Sequence, residues 1–476
     1  MKRILYFFLA ISLSMPSVSG QVLVSSELLQ SLSTLELAGQ GVFGATYGVD
    51  VYKLIYNTID TQGEPTIASG AMVLPQTNDE TLCFPMMSYA HGTVLAQDNI
   101  PSRLSGEILV GYFSAADGYV AVLPDYLGMG DSPGLHPYVH ADSEATASID
   151  MIRAAREYAA ANNISLNDQL FLTGYSQGGH ACMATHKMMQ EQFPDEFTVT
   201  ASSPGSGPYD LSSTSFDNIN SDEAYSTGGY VPYLLFAYQS VYGNLYENVS
   251  DALKAPYDTT LPPLFDGTHA MAEVHAAVPA IPTEIFQDDY LEAIRTDENH
   301  PYRVALRDND LYDWVPTAPV RMYYCEADEQ VPFENSILAL ETMQANGAEN
   351  IEAVSAGATF EHGACATFAL FGSKGFFDEV KNNECVEVGI FTPSNDYLSL
   401  QIAPNPSSSM TQIRFDNPQQ TAYEMTVTDI SGKAVHFEEN IHSSQVNFNS
   451  SELHSGIYLV ELRGTQVYRG KMLVQN

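Results

Sequence analysis

The most constraining stretch of this 476-residue chain is QLFLTGYSQGGHACMATHKMM, residues 169–189. An apolar run meets Gly174, and apolar residues recur at helical spacing after Gly179, which predicts a strand, a sharp turn and a helix. The pattern G-x-S-x-G at such a turn is typical of a nucleophile elbow, because its glycines leave room for a strained backbone that exposes the serine hydroxyl. Ser176 is therefore the candidate nucleophile, and we expect the next amide, on Gln177, to face the reacting oxygen.

Strand-like and helix-like runs alternate around this stretch. Two extended runs, residues 46–59 and 67–74, flank the breaker TQGEP and predict an antiparallel hairpin. The alternation after them implies crossover connections and a mostly parallel sheet with helices on both faces. We therefore predict an α/β fold, and a chain of this length predicts at least one further domain.

Two regions depart from that alternation. Residues from about Leu211 to Pro316 are rich in Tyr, Asp, Asn and Pro, and an insertion this long between strands most often forms a cap over the site. We expect its tyrosines to pack the cap rather than contact substrate. From about Ser394 short alternating runs separated by turn signals predict a small all-β, sandwich-like domain. The predicted domains are thus α/β over 21–393 and β-sandwich over 394–476.

The first 20 residues are typical of a secretory signal. Lys2 and Arg3 precede an apolar run too short to span a bilayer, and small residues follow near Gly20. Removing this segment, which holds two basic and no acidic residues, leaves 17 basic and 58 acidic residues and a net charge of −41. Such a charge disfavours nucleic acid and anionic membranes as partners. We expect an exported protein without a transmembrane segment.

Five cysteines in an exported chain allow at most two disulfides and leave one thiol. They are Cys83, Cys182, Cys325, Cys365 and Cys385. We expect Cys182, in the helix after the elbow, to be a buried thiol, and Cys365 with Cys385 is a plausible pair. None of the five has metal-ligand spacing.

A serine hydroxyl needs a base, and the histidine that serves as base needs an acid to orient it. Asp328 follows the predicted strand VRMYYCEA, and His362 follows the last predicted strand, IEAV. The order Ser176, Asp328, His362 is that of elbow hydrolases. Glu326 and Glu329 compete for the role of acid; Glu326 is expected to lie in the strand.

Other histidines compete with His362 for the role of base. His180 lies one helical turn after the candidate nucleophile and should point away from its hydroxyl. Four further histidines are expected in loops or in the cap, where they could line the pocket: His136, His140, His269 and His275. Only His362 combines the expected loop with the expected order.

An oxyanion formed at Ser176 needs hydrogen-bond donors, of which the Gln177 amide is one. The segment YAHGT follows the third predicted strand, where a second donor is expected. The backbone of Gly92 and Thr93 is the candidate there, with Thr93 favoured.

Together the motifs HGT, PDYLGMGDS, GYSQGG, EADEQVP and EHG resemble the α/β-hydrolases, and DYLGMGDSPGLHPY with the insertion is similar to their secretory lipase and esterase branch. The resemblance covers roughly residues 40–385. It implies an eight-stranded sheet, a triad of Ser176, His362 and Asp328, and ester hydrolysis through an acyl-enzyme with no cofactor and no metal.

The C-terminal region resembles the sorting domain of type IX secretion cargo. The residues that carry the resemblance are APNP at 403–406, DISGK at 429–433, SGIYLVEL at 455–462 and the basic RGKMLV end. It implies a Gram-negative source, the type IX machinery as partner and export across the outer membrane. Without that resemblance, a small β-module on an enzyme is equally typical of a carbohydrate-binding or adhesion domain.

The sequence therefore favours a secreted or surface-located serine hydrolase that cleaves carboxylic esters of small molecules or lipids. A serine peptidase on the same fold is an alternative, since the same triad can cleave amides. A non-catalytic surface binding protein that retains the scaffold is another.

Overall fold

The computed structural model describes residues 21–79, 81–383, 385, 397–429, 434–451 and 453–475. The chain divides into two compact units, one within residues 21–385 and one within 397–475. The predicted secretory signal, residues 1–20, and the predicted domain boundary at 393/394 lie outside the described residues.

A nine-stranded sheet forms the centre of the first unit. Its strands are β1 (Leu23–Leu32), β2 (Val49–Ile59), β3 (Pro65–Pro75), β4 (Phe84–Ala90), β5 (Val120–Pro124), β6 (Leu166–Tyr175), β7 (Ala201–Gly205), β8 (Val320–Cys325) and β9 (Ile351–Gly357). They lie in the order β1-β2-β3-β5-β4-β6-β7-β8-β9. Strands β1 to β3 are antiparallel, and the six from β5 to β9 in that order run parallel. The α/β prediction and the predicted hairpin, β2 with β3, are confirmed.

Helices follow most of these strands. They are α1 (Thr34–Gly39), α2 (Ile108–Ala116), α3 (Ala141–Ala161), α4 (Gln177–Gln192), α5 (Thr214–Ile219), α6 (Tyr230–Tyr242), α7 (Val249–Ala252), α8 (Tyr257–Thr260), α9 (Met271–Ala277), α10 (Asp288–Thr296), α11 (Pro301–Asp308), α12 (Glu334–Ala345) and α13 (His362–Asp378). In the part of the chain that the structure describes, no helix is long and apolar enough to cross a membrane.

Alternate side chains of the elbow strand β6 enter two different cores. Leu170 and Leu172 pack in a cluster with buried residues of α3 and α4. Phe171, between them, packs in a second cluster with residues of α2 and α13. A strand buried on both faces reads as a continuous apolar run, which is why the run before Gly174 identifies it. The strand is thereby fixed on both sides at the point where Ser176 follows it.

The strand that the sequence analysis did not assign is β1, so the sheet has nine strands where the resemblance implied eight. It pairs with β2 as an antiparallel strand at the edge of the sheet. Most of its side chains are exposed. An edge strand with solvent on its faces lacks the apolar alternation by which strands are predicted.

The disulfides join Cys83 to Cys385 and Cys325 to Cys365. The pairing of Cys365 with Cys385 suggested by the sequence is therefore wrong. Cys325 ends β8 and Cys365 lies in the first turn of α13, and strand and helix pack together in the first unit. Cys182 is a buried free thiol, as predicted, and burial raises its pKa.

Helices α5 to α11 lie between β7 and β8, and their apolar residues pack in one core with Leu95, Tyr138 and Val139. Tyr233, Tyr238 and Tyr302 are fully buried in this core, as expected for tyrosines that pack an insertion. Tyr225 and Tyr230 differ, since they also line a cavity at Ser176.

Two sheets make up the second unit. Its strands are β10 (Tyr397–Ser399), β11 (Gln401–Ala403), β12 (Met410–Arg414), β13 (Tyr423–Asp429), β14 (Ala434–Ile441), β15 (Gln445–Asn449), β16 (Gly456–Arg463) and β17 (Val467–Val474). One sheet has the order β10-β17-β16-β13-β14 and the other β11-β12-β15. Apolar residues of both enclose one core, which confirms the all-β, sandwich-like prediction. Four residues of the DISGK turn, 430–433, lie outside the described residues.

Candidate active site

Ser176 stands between the last residue of β6 and the first residue of α4. Its backbone has φ 60° and ψ −123°. A positive φ is costly for a residue with a Cβ and persists only where the surrounding structure enforces it. Ser176 is 9% exposed. The strained turn predicted from G-x-S-x-G is therefore present at this serine.

The glycines around Ser176 are required by close backbone contacts. A Cβ on Gly174 would overlap the carbonyl oxygen of Gly178, and a Cβ on Gly178 would overlap that of Ala90. Gly178 thus lets the start of α4 approach the end of β4. The turn is held in its strained form by this packing rather than by its local sequence alone.

His362 and Asp328 are in direct contact. Nδ1 of His362 lies 2.7 Å from Oδ2 and 2.9 Å from Oδ1 of Asp328. The Asp328 side chain is fully buried, and its Oδ1 also accepts hydrogen bonds from the amides of Gln330 and Val331, at 3.0 and 2.9 Å. Because the carboxylate only accepts, Nδ1 of His362 carries a hydrogen and Nε2 is left to accept a proton.

The histidine lies at a slightly different place from the one predicted. Strand β9 extends to Gly357, and His362 is the first residue of α13 rather than a loop residue. A first-turn position leaves its backbone amide without a partner inside the helix. The carboxylate of Glu329 accepts that amide at 2.9 Å.

The two rival acids do not contact the imidazole in the way Asp328 does. Glu329 binds the main chain of His362, and Glu326 is exposed just beyond the end of β8 rather than inside it. Partial burial acts to raise the pKa of Glu329, but the hydrogen bonds to its carboxylate, that of the His362 amide first among them, outweigh burial and lower the pKa. Glu329 thus helps to fix the histidine's backbone.

Tyr175 connects the elbow to the histidine. Its hydroxyl donates to the carbonyl oxygen of His362 at 2.8 Å, and the two rings lie 5.0 Å apart. Burial raises the pKa of Tyr175 and keeps it protonated as a donor. Since Tyr175 immediately precedes Ser176, this contact brings the histidine helix to the strained serine.

The predicted oxyanion segment lies beside Ser176. A Cβ built on Gly92 would lie 3.9 Å from Cβ of Ser176. The Gly92 amide already donates to Oε2 of Glu107 at 3.1 Å, which leaves the Thr93 amide as the candidate in this segment. The Gln177 amide, at the first position of α4, has no acceptor within the helix.

The other candidate histidines are engaged elsewhere. His136 and His180 are buried in a hydrogen-bond network around the Gln177 side chain. His140 caps the start of α3, His269 pairs with Glu273, and Nδ1 of His275 accepts the Gly229 amide. None of these described contacts reaches the Asp328 carboxylate.

Residues 105–369 match the family model of secretory lipases. This match spans more than half of the chain. The chain belongs to the secretory lipase family. Residues 401–475 match the model of a secretion system C-terminal sorting domain, so the lipase carries a type IX sorting domain and is a secreted protein. A search of curated proteins finds no match.

Solved structures agree with the family. A hydrolase from Legionella pneumophila, described as putative, is 28% identical with a TM-score of 0.69, and the match covers 75% of this lipase and 98% of that chain. The rice cell wall degrading esterase LipA from Xanthomonas oryzae is 29% identical with a TM-score of 0.67, over 74% and 95% of the two chains. Candida antarctica lipase A, at 18% identity and a TM-score of 0.59 over 76% and 83%, shares the fold. This secretory lipase is therefore a hydrolase by family and by fold.

A small cavity of about 50 Å³ lies at the elbow of the lipase. Ser176 and Gln177 line it together with residues of the helical insertion and of the segment 330–332. The Tyr225 hydroxyl donates to the Gln330 carbonyl oxygen at 2.9 Å, and the Tyr230 hydroxyl to Gln330 Oε1 at 3.0 Å. The insertion is thus tied to the loop that holds Asp328.

Sequence reasoning missed how three residues hold the candidate site in shape. Glu107, Tyr175 and Glu329 each bind a backbone group of another site segment. Tyr175 and Glu329 carry sequence signals, since they lie inside GYSQGG and EADEQVP, whereas Glu107 lies in none of the motifs. In the described ranges, no group of three or more His, Cys, Asp or Glu residues is placed to hold a metal ion.

Proposed function

We propose that this secretory lipase cleaves carboxylic esters through an acyl-enzyme on Ser176, with His362 as base and Asp328 as orienting acid. The contact between His362 Nδ1 and the buried Asp328 carboxylate carries the proposal, since it fixes the tautomer that can accept a proton on Nε2. The strained Ser176 adjoins Tyr175, which binds the same histidine.

The reaction proceeds in two steps on these residues. Ser176 Oγ attacks the ester carbonyl as His362 Nε2 takes its proton, and the amides of Gln177 and Thr93 stabilise the oxyanion. The alcohol leaves with the proton from His362, so the acyl group is bound to Ser176. A water molecule, deprotonated by His362, then releases the acid and restores the serine.

Export completes the proposal. The sorting domain at 401–475 supports transport across the outer membrane by the type IX machinery, after the signal predicted at residues 1–20 has directed the chain out of the cytoplasm. The helical insertion acts as a cap, which is supported by its place along the cavity at Ser176.

We expect the purified protein to hydrolyse nitrophenyl esters and to leave dipeptidyl nitroanilides essentially intact. The amide bond needs protonation of a poorer leaving group, and the residues that line the small cavity at Ser176 include no charged side chain to bind a free amino terminus. Parallel assays on one enzyme preparation measure both rates. A higher kcat/KM for the amide would favour the peptidase alternative, and activity on neither would favour a binding protein.

A further inference from the structure

The Gln177 side chain lies in a buried polar network behind the elbow. Gln177 is 1% exposed, and its network partners Glu144, His180 and His136 are exposed by 1%, 0% and 2%. Nε2 of Gln177 lies 2.8 Å from Oε1 of Glu144 and 2.7 Å from Nε2 of His136. Buried polar groups of this kind are costly when unpaired, and in this network Nε2 of Gln177 is paired while its Oε1 is buried without a hydrogen-bond partner.

The proton positions in this network follow from its acceptors. Nδ1 of His136 faces the Leu127 carbonyl oxygen at 2.8 Å and must donate to it. Burial lowers the pKa of His136 to about 3, so the ring is neutral and its Nε2 accepts from Gln177. Both hydrogens on the side-chain Nε2 of Gln177 are then donated, one to His136 and one to Glu144.

A second buried histidine anchors Glu144. Nδ1 of His180 lies 2.8 Å from Oε2 of Glu144, and Nε2 donates to the carbonyl oxygen of Asn309 at 2.9 Å. These two contacts fix the ring of His180 against the Glu144 carboxyl group. The carboxylate is thereby held where its other oxygen meets Gln177.

This network allows one orientation of the Gln177 side chain. If the amide were reversed, its oxygen would face the Glu144 carboxylate and the His136 nitrogen, both of which are acceptors. A side chain locked at the first residue of α4 restricts the backbone at that residue as well. The same backbone carries the N–H that faces the oxyanion in the proposed reaction.

We propose that Glu144 and His180 are positioning residues that aim the Gln177 amide at the oxyanion. The inference rests on the proposed function and concerns the transition state, in which charge develops on the oxygen near that amide. Misplacement of a donor by a fraction of an ångström weakens this stabilisation while leaving ester binding nearly unchanged.

Glu144→Leu tests this role, because leucine fills the space without accepting a hydrogen bond. We expect kcat for nitrophenyl acetate to fall by about 10- to 100-fold, with KM changing less than about threefold. Affinity for a boronic acid that mimics the transition state should fall by the same factor as kcat. Glu144→Gln should restore kcat to within about fivefold of the wild type, since its oxygen accepts from Gln177 and its NH₂ donates to a neutral His180.

His186→Leu is the matched control. His186 lies on the same helix as His180, is 1% exposed, and binds Ser202 rather than the Gln177 network. We expect His186→Leu to lower Tm about as much as Glu144→Leu does, but to keep kcat within about twofold of the wild type. If Glu144→Leu does not fold, Gln177→Met removes the same contact by replacing the side-chain amide that donates to Glu144. This variant should show the same loss of kcat.

The outcomes separate this inference from the proposed function. A folded Glu144→Leu enzyme with wild-type kcat, or one that loses kcat only as much as the His186→Leu control, would overturn the positioning role. In both cases the proposed function is still supported if the wild type is active and is labelled at Ser176 by a fluorophosphonate. An unlabelled, inactive wild type contradicts the proposed function instead.

Discussion

Replacing Ser176 with alanine is expected to lower kcat for nitrophenyl acetate by about 10⁶-fold, to a rate set by binding and the oxyanion donors alone. Without Oγ no acyl-enzyme forms, so the burst of nitrophenol released in the first turnover should vanish as well. Stopped-flow absorbance measures the burst, and steady-state assays measure kcat. Labelling by a fluorophosphonate should be lost in the same variant.

Ser203→Ala is a suitable control for the loss of a buried serine hydroxyl. Ser203 lies on the neighbouring strand β7, where its Oγ donates to the Arg321 carbonyl oxygen at 2.8 Å. We expect it to lower Tm while keeping both the burst and the labelling. A Ser176→Ala enzyme that retains the wild-type rate would rule out Ser176 as the nucleophile.

Replacing Asp328 with asparagine is expected to lower kcat by about 10⁴-fold. The carboxamide can donate to His362 Nδ1, which favours the tautomer whose Nε2 carries the hydrogen and accepts no proton from serine. The change is nearly isosteric, but it also weakens the acceptor for the amides of Gln330 and Val331. Both kcat and Tm are therefore measured on the same preparation, so that a loss of stability can be distinguished from the loss of the correct tautomer.

Glu326→Gln distinguishes the acid from its rival. Glu326 is exposed two residues before Asp328, so the same change of carboxylate to carboxamide there should leave kcat within about threefold of the wild type. Equal losses in the two variants would contradict Asp328 as the specific partner of His362. A large loss in Glu326→Gln alone would move the role to Glu326.

The elbow is the part of the molecule that the sequence predicts best, because its sequence signal is local. Gly174 is needed by the close approach of the Gly178 carbonyl oxygen, whereas Gly178 is needed by the approach of Ala90 on β4. The sheet was predictable for a similar reason, since strands buried on both faces appear as apolar runs. The exposed edge strand β1 lacks that signal and was missed.

Contacts between distant segments were not predictable. Cys83 and Cys385 are 302 residues apart, and only the folded sheet brings them together. Glu144 and Gln177 have no sequence pattern that relates them, although their side chains meet inside the core. The roles of Ser176, Asp328 and His362 remain predictions. They could be made from the sequence because the order of the three residues along the chain follows the order of the strands that precede them.

The disulfide between Cys325 and Cys365 bears on when the segments that carry Asp328 and His362 become joined. Cys325 lies three residues before Asp328, and Cys365 three residues after His362. The covalent link therefore closes a ring that contains both Asp328 and His362. Since disulfides form outside the reducing cytoplasm, we expect this ring to close only after the secreted chain has left the cytoplasm.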